Sequence, residues 1–429
     1  MRLILFDLPG DGRMSFDPLA LSRPIWELRC GMTSLGDKIV QRTGAVDVAA
    51  FVPPYMADAY METTDRPVND VSVLAGEDIL LVDGRVKAQS LEVDKLPPGG
   101  VVLSDDGNVL VARISQMDRD TKSSQSIEAV LKSAADTLRR VDLPVEIWNY
   151  TWELILENPD QLTRDFRAAG MSGIEGKVEQ PNAIRGSKND VFIAPGVVVH
   201  PMVVLDAEHG PIYIDEGAEI HPFSRIEGPC YVGKNSILLG AKCREGNSIG
   251  PMCRIGGEVE ESIVHGYSNK YHDGFLGHAY VGEWVNLGAL TTNSDLKNDY
   301  SDVSVVLDGR RAIPTGSRKV GSLIGDHTKT SIGTLFNTGA YVGSMALIAG
   351  TGKPLPKFIP SFAWFLEGVV TKGFGKRKLY DTARIAMGRR GREWTEGQEA
   401  MWEAVFDLTA PARNDAIKKG RRVLTNKHN

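Results

Sequence analysis

The sequence predicts three parts in order: an α/β domain, a parallel β-helix built from six-residue repeats, and a helical extension. The apolar run Arg2–Phe6 is typical of a buried strand in an α/β fold. Apolar residues then recur at six-residue intervals between Ile193 and Ile348, with two interruptions, and helical spacing appears at Glu396–Leu408. We expect the three parts to occupy residues 1–180, 187–352 and 353–429.

The composition is that of a globular protein. Hydrophobic residues make up 42% and charged residues 24% of the 429 positions. No apolar run approaches about 18 residues, so we expect no membrane span, and the run Leu3–Phe6 is too short for a signal peptide. The four cysteines form no C-x-x-C pair, so we assign no metal ligands and no disulfides. These features favour a cytoplasmic protein.

Further elements of the N-terminal part follow from local patterns. Asp78–Val82 and Val101–Leu103 have the composition of additional strands. Ser124–Val141 has helical spacing, and Glu146–Phe166 predicts a second helical region that a proline breaks. The polar segment Gly170–Gly186 contains glycine and has no apolar period, so we interpret it as a linker.

The repeat in the middle of the chain is the strongest signal. Its longest unbroken run is Ile214, Ile220, Ile226, Val232 and Leu238. Small residues follow four positions later, at Ala218, Ser224, Cys230 and Ser236. A period of six fits neither a helix nor a long strand, but it fits short parallel strands that coil into a triangular prism. The apolar residue would fill the interior and the small residue a corner.

The C-terminal part is basic. Residues 371–429 contain 14 Lys and Arg against 7 Asp and Glu, although the whole chain has a net charge of −6. The excess could contact an acidic partner, or it could be a solvated helical surface. We do not expect nucleic acid as a partner. Ser361–Val370 and Glu396–Leu408 have the spacing of helices that would cover the open end of the prism.

The repeat is interrupted at residues 257–279, and this loop holds the densest chemistry. His272 could act as a general base, since its ordinary pKa lies near neutrality, or it could be bonded to the backbone. Lys270 could bind phosphate or be a solvated loop residue. Asn286, where the repeat resumes, could contact a sugar hydroxyl or stack in an internal ladder, and we interpret His278 as structural.

A second interruption, at residues 292–322, precedes another group of basic residues. Arg318, Lys319 and Lys329 lie close together in sequence beside a resumed coil. Such a group suits a phosphate-bearing ligand, including the 3′-phosphate and pyrophosphate of coenzyme A. The alternative is that these side chains only solvate a turn.

The segments Gly266–Asn298 and Thr315–Gly333 resemble the C-terminal half of the GlmU-type bifunctional enzymes, in a divergent bacterial branch. That family acetylates glucosamine 1-phosphate from acetyl-CoA and then uridylylates the product. The resemblance implies a left-handed β-helix, acetyl-CoA as the donor, and a homotrimer with donor clefts between neighbours.

The same resemblance implies roles for single residues. His272 matches the acetyl-transfer base, Asn286 matches an acceptor contact, and Arg254 and Asn293 fall close to two others. Two positions depart from the family. Phe275 replaces a tyrosine, and Glu260 replaces a phosphate-binding lysine, so Lys270 or Arg254 would have to bind the phosphate.

The N-terminal half resembles the shortened nucleotidyltransferase-like domain of the same branch, through Leu3–Pro9 and Leu21–Gly31. Candidate nucleotide contacts are Gly10, Gly12, Arg13 and Arg23, with Mg²⁺ as a companion ion. The loop lacks the threonine of active members, so it could equally be an ordinary turn between a strand and a helix. Asp83 could bind Mg²⁺, but an Asp-Gly turn at the end of a strand is the simpler interpretation.

Taken together, these features predict an acetyl-CoA-dependent N-acetyltransferase that acts on an amino-sugar phosphate. His272 would be the base, with Arg254, Lys270, Asn286 and Asn293 at the acceptor and Arg318, Lys319 and Lys329 at coenzyme A. Uridylyl transfer from UTP could accompany it. The alternatives are a sugar-1-phosphate nucleotidyltransferase with a structural β-helix, and a non-catalytic scaffold that binds sugar nucleotides.

Overall fold

The computed structural model describes residues 1–75, 78–115 and 126–428, and it confirms the predicted fold class. An α/β domain precedes a parallel β-solenoid, and helices follow the solenoid. No helix in these ranges is both long and apolar enough to span a membrane.

The N-terminal domain is built on a six-stranded mixed sheet. Its strands, in spatial order, are Val48–Phe51, Arg2–Phe6, Ile79–Asp83, Val109–Ile114, Gly100–Leu103 and Arg139–Arg140. The first three are parallel, and Val109–Ile114 runs antiparallel to both of its neighbours. A small hairpin pairs Arg29–Cys30 with Thr33–Ser34. The predicted strands at residues 78–82 and 101–103 are therefore confirmed within one residue.

Within the described part of this domain, the structure has helices in both regions predicted from apolar spacing, and three further helices that were not predicted. They are Asp11–Met14, Leu35–Thr43, Ala57–Met61, Ile127–Thr137, Thr151–Leu156 and Asn158–Ala169. Ser126 begins the fourth helix by accepting a hydrogen bond from the Ala129 amide. The start of the helix predicted at 124–141 lies outside the described residues. The region predicted at 146–166 forms two helices, with Pro159 in the first turn of the second.

The solenoid has three faces. Face 1 contains Gly173–Ile174, Val191–Ile193, Ile212–Ile214, Cys230–Val232, Asn247–Ile249, Ile263–Gly266, Tyr280–Glu283, Leu323–Ile324, Tyr341–Val342 and Phe358–Ile359. Face 2 contains Lys177–Val178, Val198–Val199, Glu219–Ile220, the first halves of Ile237–Cys243 and Arg254–Glu260, Asn269–Lys270, Lys329–Thr330, Leu347–Ile348 and Trp364–Leu366. Face 3 contains Ala183–Gly186, Val204–Ala207, Arg225–Glu227, the second halves of the two long strands, Phe275–Gly277, Thr292–Asn293 and Leu335–Phe336.

The six-residue period fills the interior as predicted. Ile214, Ile220, Ile226, Val232 and Leu238 are all fully buried. They lie in one continuous apolar cluster that runs along the prism. Neighbouring coils place like residues in register, for example Val199 beside Ile220 and Leu205 beside Ile226. Burial of this stack supplies the main driving force for the fold of this region.

The solenoid extends beyond both predicted ends. The segment interpreted as a linker contributes the first coil, with Val178 and Ile184 packed against the core. The segment 361–370 is not a helix. It forms the strands Trp364–Leu366 and Val369–Thr371, joined by Glu367 and Gly368, both with positive φ. Aromatic and β-branched residues favour strands, which explains the difference.

The C-terminal helices are Lys376–Gly388, Glu396–Leu408 and Ala410–His428. Ile417 on the last helix joins the solenoid core beside Val370, so a C-terminal helix covers the end of the prism, but it is Ala410–His428 and neither of the two helices predicted from the sequence. The other two helices pack between the solenoid and the N-terminal domain, where Trp402 and Val405 share one apolar cluster with Tyr60. A hairpin in the second interruption pairs Ser304–Val306 with Ala312–Pro314.

Candidate functional site

His272 lies at an exposed corner of the solenoid. It falls in the turn that connects Asn269–Lys270 on face 2 with Phe275–Gly277 on face 3, and its side chain is solvent-exposed. Its ring lies 5.8 Å from the ring of Tyr271, centroid to centroid. Gly274 has a φ of 131°, and a Cβ there would lie 2.2 Å from the carbonyl oxygen of Thr291, so only glycine fits. The turn is therefore fixed closely against the next coil.

Lys270 supports this corner from inside the prism. It occupies an interior position in register with Ile255 and is 4% exposed. Its Nζ donates to the carbonyl oxygen of Gly256 at 2.8 Å and to that of His272 at 2.6 Å. Burial lowers the pKa of Lys270 to about 8. The ammonium group is directed to backbone carbonyls within the coil, so the binding of an acceptor phosphate by Lys270 stays a prediction that this geometry does not favour.

A column of polar residues runs along face 2 beside this corner. In the backbone register of successive coils, Arg254 lies beside Asn269, Asn269 beside Asn286, and Asn286 beside Lys329. Asn269 Nδ2 donates to Asn286 Oδ1 at 3.3 Å, and the side chain of Asn286 is exposed. The structure thus brings Arg254 and Asn286 onto one face of the solenoid, on either side of Asn269.

The C-terminal extension covers this column and forms a cleft. Arg390 Nη2 donates to Asn269 Oδ1 at 3.1 Å, and Arg392 Nη2 donates to the hydroxyl of Tyr267 at 2.8 Å. The cleft is lined by Tyr267, Asn269, Trp284, Asn286, Lys329, Arg389 and Arg390, among others. Burial, and then the charge of Arg390, lower the pKa of Arg254. These positive charges make the cleft a surface suited to an anionic ligand.

Sequence reasoning missed Arg389 and Arg390. Arg390 is 121 positions from Asn269 in the sequence. No repeat or local spacing connects these two residues. The only signal was the basic composition of the C-terminal part, which could not show which residues return to the solenoid.

The predicted basic group for coenzyme A is not one group. Lys329 is on face 2, where it donates to the carbonyl oxygens of Trp284 and His327, and burial lowers its pKa to about 7. Lys319 binds Glu260 on face 3 at 3.2 Å. Arg318 is exposed. Lys319 and Lys329 therefore lie on different faces of the prism, and a joint role of the three cations at coenzyme A stays a prediction.

Glu260, which replaces a lysine of the family, is neutralised. It is 4% exposed and accepts from Arg244 Nη1 at 2.6 Å as well as from Lys319. The charges of Arg244 and Lys319 offset the negative charge of the Glu260 carboxylate, which would otherwise repel an acceptor phosphate. The ring of Phe275 packs over Gly277 of the same strand. A Cβ added to Gly277 would lie 2.4 Å from the Phe275 ring, so this packing requires glycine.

Two other predicted residues have structural roles. Asn293 is 2% exposed, and its side-chain amide both accepts from the amide and donates to the carbonyl of Gly277, at 2.8 Å each. These bonds occupy the amide, so a contact of Asn293 with the acceptor stays a prediction that the structure does not favour. His278 is buried between Asp295 and Glu261, with contacts of 2.8 and 3.2 Å. Its interpretation as a structural residue is confirmed.

The predicted nucleotide loop is exposed at Gly10 but turns Arg13 into the N-terminal domain. Gly10 precedes a single helical turn, Asp11–Met14, and a Cβ on Gly12 would collide with the guanidinium of Arg85. Arg13 is buried, and its guanidinium forms an ion pair with Asp7 and donates to the Ala20 carbonyl. These internal partners occupy the guanidinium of Arg13, so its contact with a nucleotide stays a prediction that the packing does not favour.

Asp83 and Arg23 also have protein partners. Asp83 accepts from the Arg85 amide at 2.8 Å and pairs with its guanidinium, as in a turn at the end of a strand. This position does not fit a Mg²⁺ ligand. Arg23 is directed into the solenoid, where Nη2 lies 2.5 Å from Asp326 Oδ2 and 3.3 Å from Glu283 Oε2. It joins two domains, and its assignment to a nucleotide stays a prediction.

Comparisons with known proteins agree with the resemblance found in the sequence. Residues 3–171 match the family model described as sugar nucleotidyl transferase. A bifunctional sugar-1-phosphate nucleotidylyltransferase/acetyltransferase from Sulfurisphaera tokodaii is 36% identical over 151 residues, which cover 32% of this chain and 35% of that protein. The bifunctional protein GlmU from Acidovorax ebreus is 35% identical over 117 residues, 27% of this chain and 21% of that protein.

A longer match at lower identity is the bifunctional protein GlmU from Heliobacterium modesticaldum, 24% identical over 226 residues, 48% of this chain and 43% of the relative. The chain thus spans less than half the length of these curated relatives. A crystal structure described as a candidate acetyltransferase from Bacillus cereus covers 47% of this chain and 96% of its own, at 17% identity and a TM-score of 0.19. The chain is similar to bifunctional sugar nucleotidyltransferase/acetyltransferases, and the predicted resemblance is confirmed.

Proposed function

We propose that this protein transfers the acetyl group of acetyl-CoA to the amine of an amino-sugar phosphate. The observation that carries the proposal is the position of His272. Its imidazole is exposed in the turn that follows Asn269 by three residues, and Asn269 itself lines a cleft together with Asn286, Arg389 and Arg390. Relatives named acetyltransferases support the type of reaction.

The chemistry needs one base and one stabilised oxyanion. The amine attacks the thioester carbonyl carbon, a C–N bond forms, and His272 accepts the proton that the nitrogen loses. Backbone amides of the solenoid would stabilise the oxygen of the tetrahedral intermediate. The C–S bond then breaks, and the imidazolium returns its proton to the thiolate of coenzyme A.

The acceptor phosphate belongs with the arginines of the cleft. Arg254, Arg389 and Arg390 surround the polar column, whereas Lys270 is inside the prism. Guanidinium groups bind phosphate oxygens through paired hydrogen bonds, which suits a sugar phosphate. Of the three predicted coenzyme A contacts, Lys319 is paired with Glu260 and Lys329 donates to backbone carbonyls, whereas Arg318 is exposed, and we retain Arg318 at the donor.

Nucleotidyl transfer is the second candidate, and the match of residues 3–171 to the sugar nucleotidyl transferase model favours it. The packing of Arg13 and Arg23 against protein carboxylates speaks against the nucleotide site predicted from the sequence. Release of pyrophosphate from UTP and a sugar 1-phosphate would measure this activity directly.

The experiment is to follow free thiol release from acetyl-CoA with glucosamine 1-phosphate and other amino-sugar phosphates. The His272→Ala variant should lose roughly 10²–10⁴-fold in kcat, the usual contribution of a general base. His209→Ala is the matched control, because His209 is an exposed histidine elsewhere on the solenoid. Equal turnover by wild type and His272→Ala, or absence of thiol release with every acceptor, would reject the proposal.

A further inference from the structure

The first coils of the solenoid carry a column of ionisable residues far from the cleft in sequence. Lys177–Val178, Val198–Val199 and Glu219–Ile220 stack in register on face 2. Each strand is followed by one polar residue: Glu179, then His200, then His221. The spacing is 21 residues in both steps, so the three side chains emerge at the same point of successive coils, about 4.8 Å apart.

The side chains converge on one carboxylate. His200 Nε2 lies 2.9 Å from Glu219 Oε1, and His221 Nε2 lies 3.3 Å from the same oxygen. The two imidazole rings are 5.0 Å apart between centroids. One nitrogen from each ring and a carboxylate oxygen of Glu219 all lie within 4.8 Å of one another.

Glu179 holds His200 from the other side. Its Oε2 is 3.1 Å from His200 Nδ1. A neutral imidazole has one donor and one acceptor nitrogen. When Nδ1 donates to Glu179, the lone pair of Nε2 faces the Glu219 oxygen, an unfavourable pair of acceptors. A cation placed between these atoms removes the conflict.

The donor set matches a borderline metal ion. Two imidazole nitrogens and one carboxylate oxygen are ligands that Zn²⁺ prefers, and three protein ligands leave one position for water. A carboxylate that accepts from Nδ1 while Nε2 faces the metal is the usual support of a metal-binding histidine. Each of the three ligand side chains is about one-third exposed, so an ion can enter from solvent.

The charge around the cluster also favours a divalent cation. Glu179 and Glu219 contribute two negative charges, and Lys177 Nζ, 2.5 Å from Glu179 Oε1, offsets part of one. Arg254, two coils further along face 2, lies close enough to act on Glu219 through its charge. Neither cation contacts the oxygen on which the histidines converge.

We propose that His200, His221 and Glu219 bind one divalent transition-metal ion, with Zn²⁺ as the best match, and that Glu179 is a positioning residue for His200. The ion would join consecutive coils near the start of the solenoid. This site is separate from the acetyl-transfer cleft and does not depend on it. Cysteine spacing gave no sign of it, because no cysteine takes part.

The test uses the full chain after removal of metal by a chelator. Titration with Zn²⁺ should show one saturable equivalent, and Co²⁺ should give the visible absorption of a low-symmetry site. Bound Zn²⁺ should raise the unfolding temperature. His221→Ala and Glu219→Gln should each weaken binding by at least roughly 10-fold, and Glu179→Gln by about 10-fold or more through the orientation of His200.

Controls make the outcome decisive. His209→Ala should bind Zn²⁺ as the wild type does, since His209 is an exposed histidine outside the cluster. Circular dichroism of each variant without metal would show that the solenoid is intact. Absence of saturable binding by the wild type, or equal binding by a His200→Ala/His221→Ala double variant, would overturn the proposal. The cluster would then be a hydrogen-bonded network in which a protonated His200 imidazole donates to the carboxylates of Glu179 and Glu219.

Discussion

Arg390 donates a hydrogen bond from Nη2 to Oδ1 of Asn269 at 3.1 Å, across 121 positions of sequence. Through this contact the C-terminal extension does more than cover the end of the prism. It brings a positive charge to the column of face 2 that contains Asn286, and Asn269 links the two by donating to Asn286. In the reaction proposed above, a phosphate in the cleft would meet Arg390 first.

Replacement of this arginine should weaken acceptor binding. Under the proposed function, Arg390→Ala is expected to raise KM for the amino-sugar phosphate roughly 10-fold and to change kcat little, because a hydrogen bond between charged groups contributes about 1.5–3 kcal/mol. Steady-state rates of thiol release at varied acceptor concentration measure this KM and kcat. Arg377→Ala, an exposed site on the preceding helix, is the control. An unchanged KM would remove Arg390 from the acceptor site.

Lys270 should affect turnover and not acceptor affinity. Its ammonium holds the carbonyl of His272, so Lys270→Met is expected to lower kcat about 10-fold, since misplacement of a catalytic group by a fraction of an ångström is costly. KM for the acceptor phosphate should stay the same. The opposite pattern, a raised KM at constant kcat, would return Lys270 to the phosphate-binding role predicted from sequence. Thermal unfolding of the variant checks the fold.

The pair between Arg23 and Asp326 should stabilise the junction of the two domains. Arg23→Met is expected to lower the free energy of unfolding by about 3 kcal/mol, because it leaves the buried Asp326 carboxylate without its cation. Urea unfolding measures this loss. Lys234→Ala removes an exposed pair with Glu216 and should cost less than about 1 kcal/mol. Unchanged stability combined with weaker UTP binding would instead support the nucleotide role.

His278 should make stability depend on pH. Burial by itself lowers the pKa of His278, but hydrogen bonds to Asp295 and Glu261 outweigh it and raise the pKa to about 9. The folded state therefore holds its proton more tightly than the unfolded state does. The stabilisation is complete below the unfolded pKa of about 6.5 and is lost as pH rises through 9.

The measurement is the difference in free energy of unfolding between wild type and His278→Gln. A shift of this size corresponds to about 3 kcal/mol, which should be present at pH 5.5 and largely gone at pH 9.5. Because both proteins carry the same other titrating groups, the difference isolates His278. A difference that does not vary with pH would contradict the expected ion pairs.

Local patterns predicted the elements better than they predicted the site. The six-residue period identified Ile214 through Leu238 as interior residues, and capping and apolar spacing located the helix Glu396–Leu408. The same period did not predict that Lys270 takes an interior position beside Ile255. A lysine at a position of the repeat that is usually apolar indicates an interruption of the repeat, so the sequence predicts a loop at Lys270. The first coil was missed for a related reason, since few apolar residues mark it.

The sequence by itself determined the prism, the order of the three parts and the exposed histidine at the corner. Each depends on spacing within about twenty residues, where backbone geometry and burial decide the outcome. Only the tertiary structure decided which cations meet. It drew Arg13 and Arg23 to carboxylates, separated Lys319 from Lys329 on different faces, and returned Arg390 to Asn269. Long charged side chains form ion pairs with the oppositely charged groups that tertiary packing places near them. Those groups come from distant parts of the chain, so local spacing does not predict them.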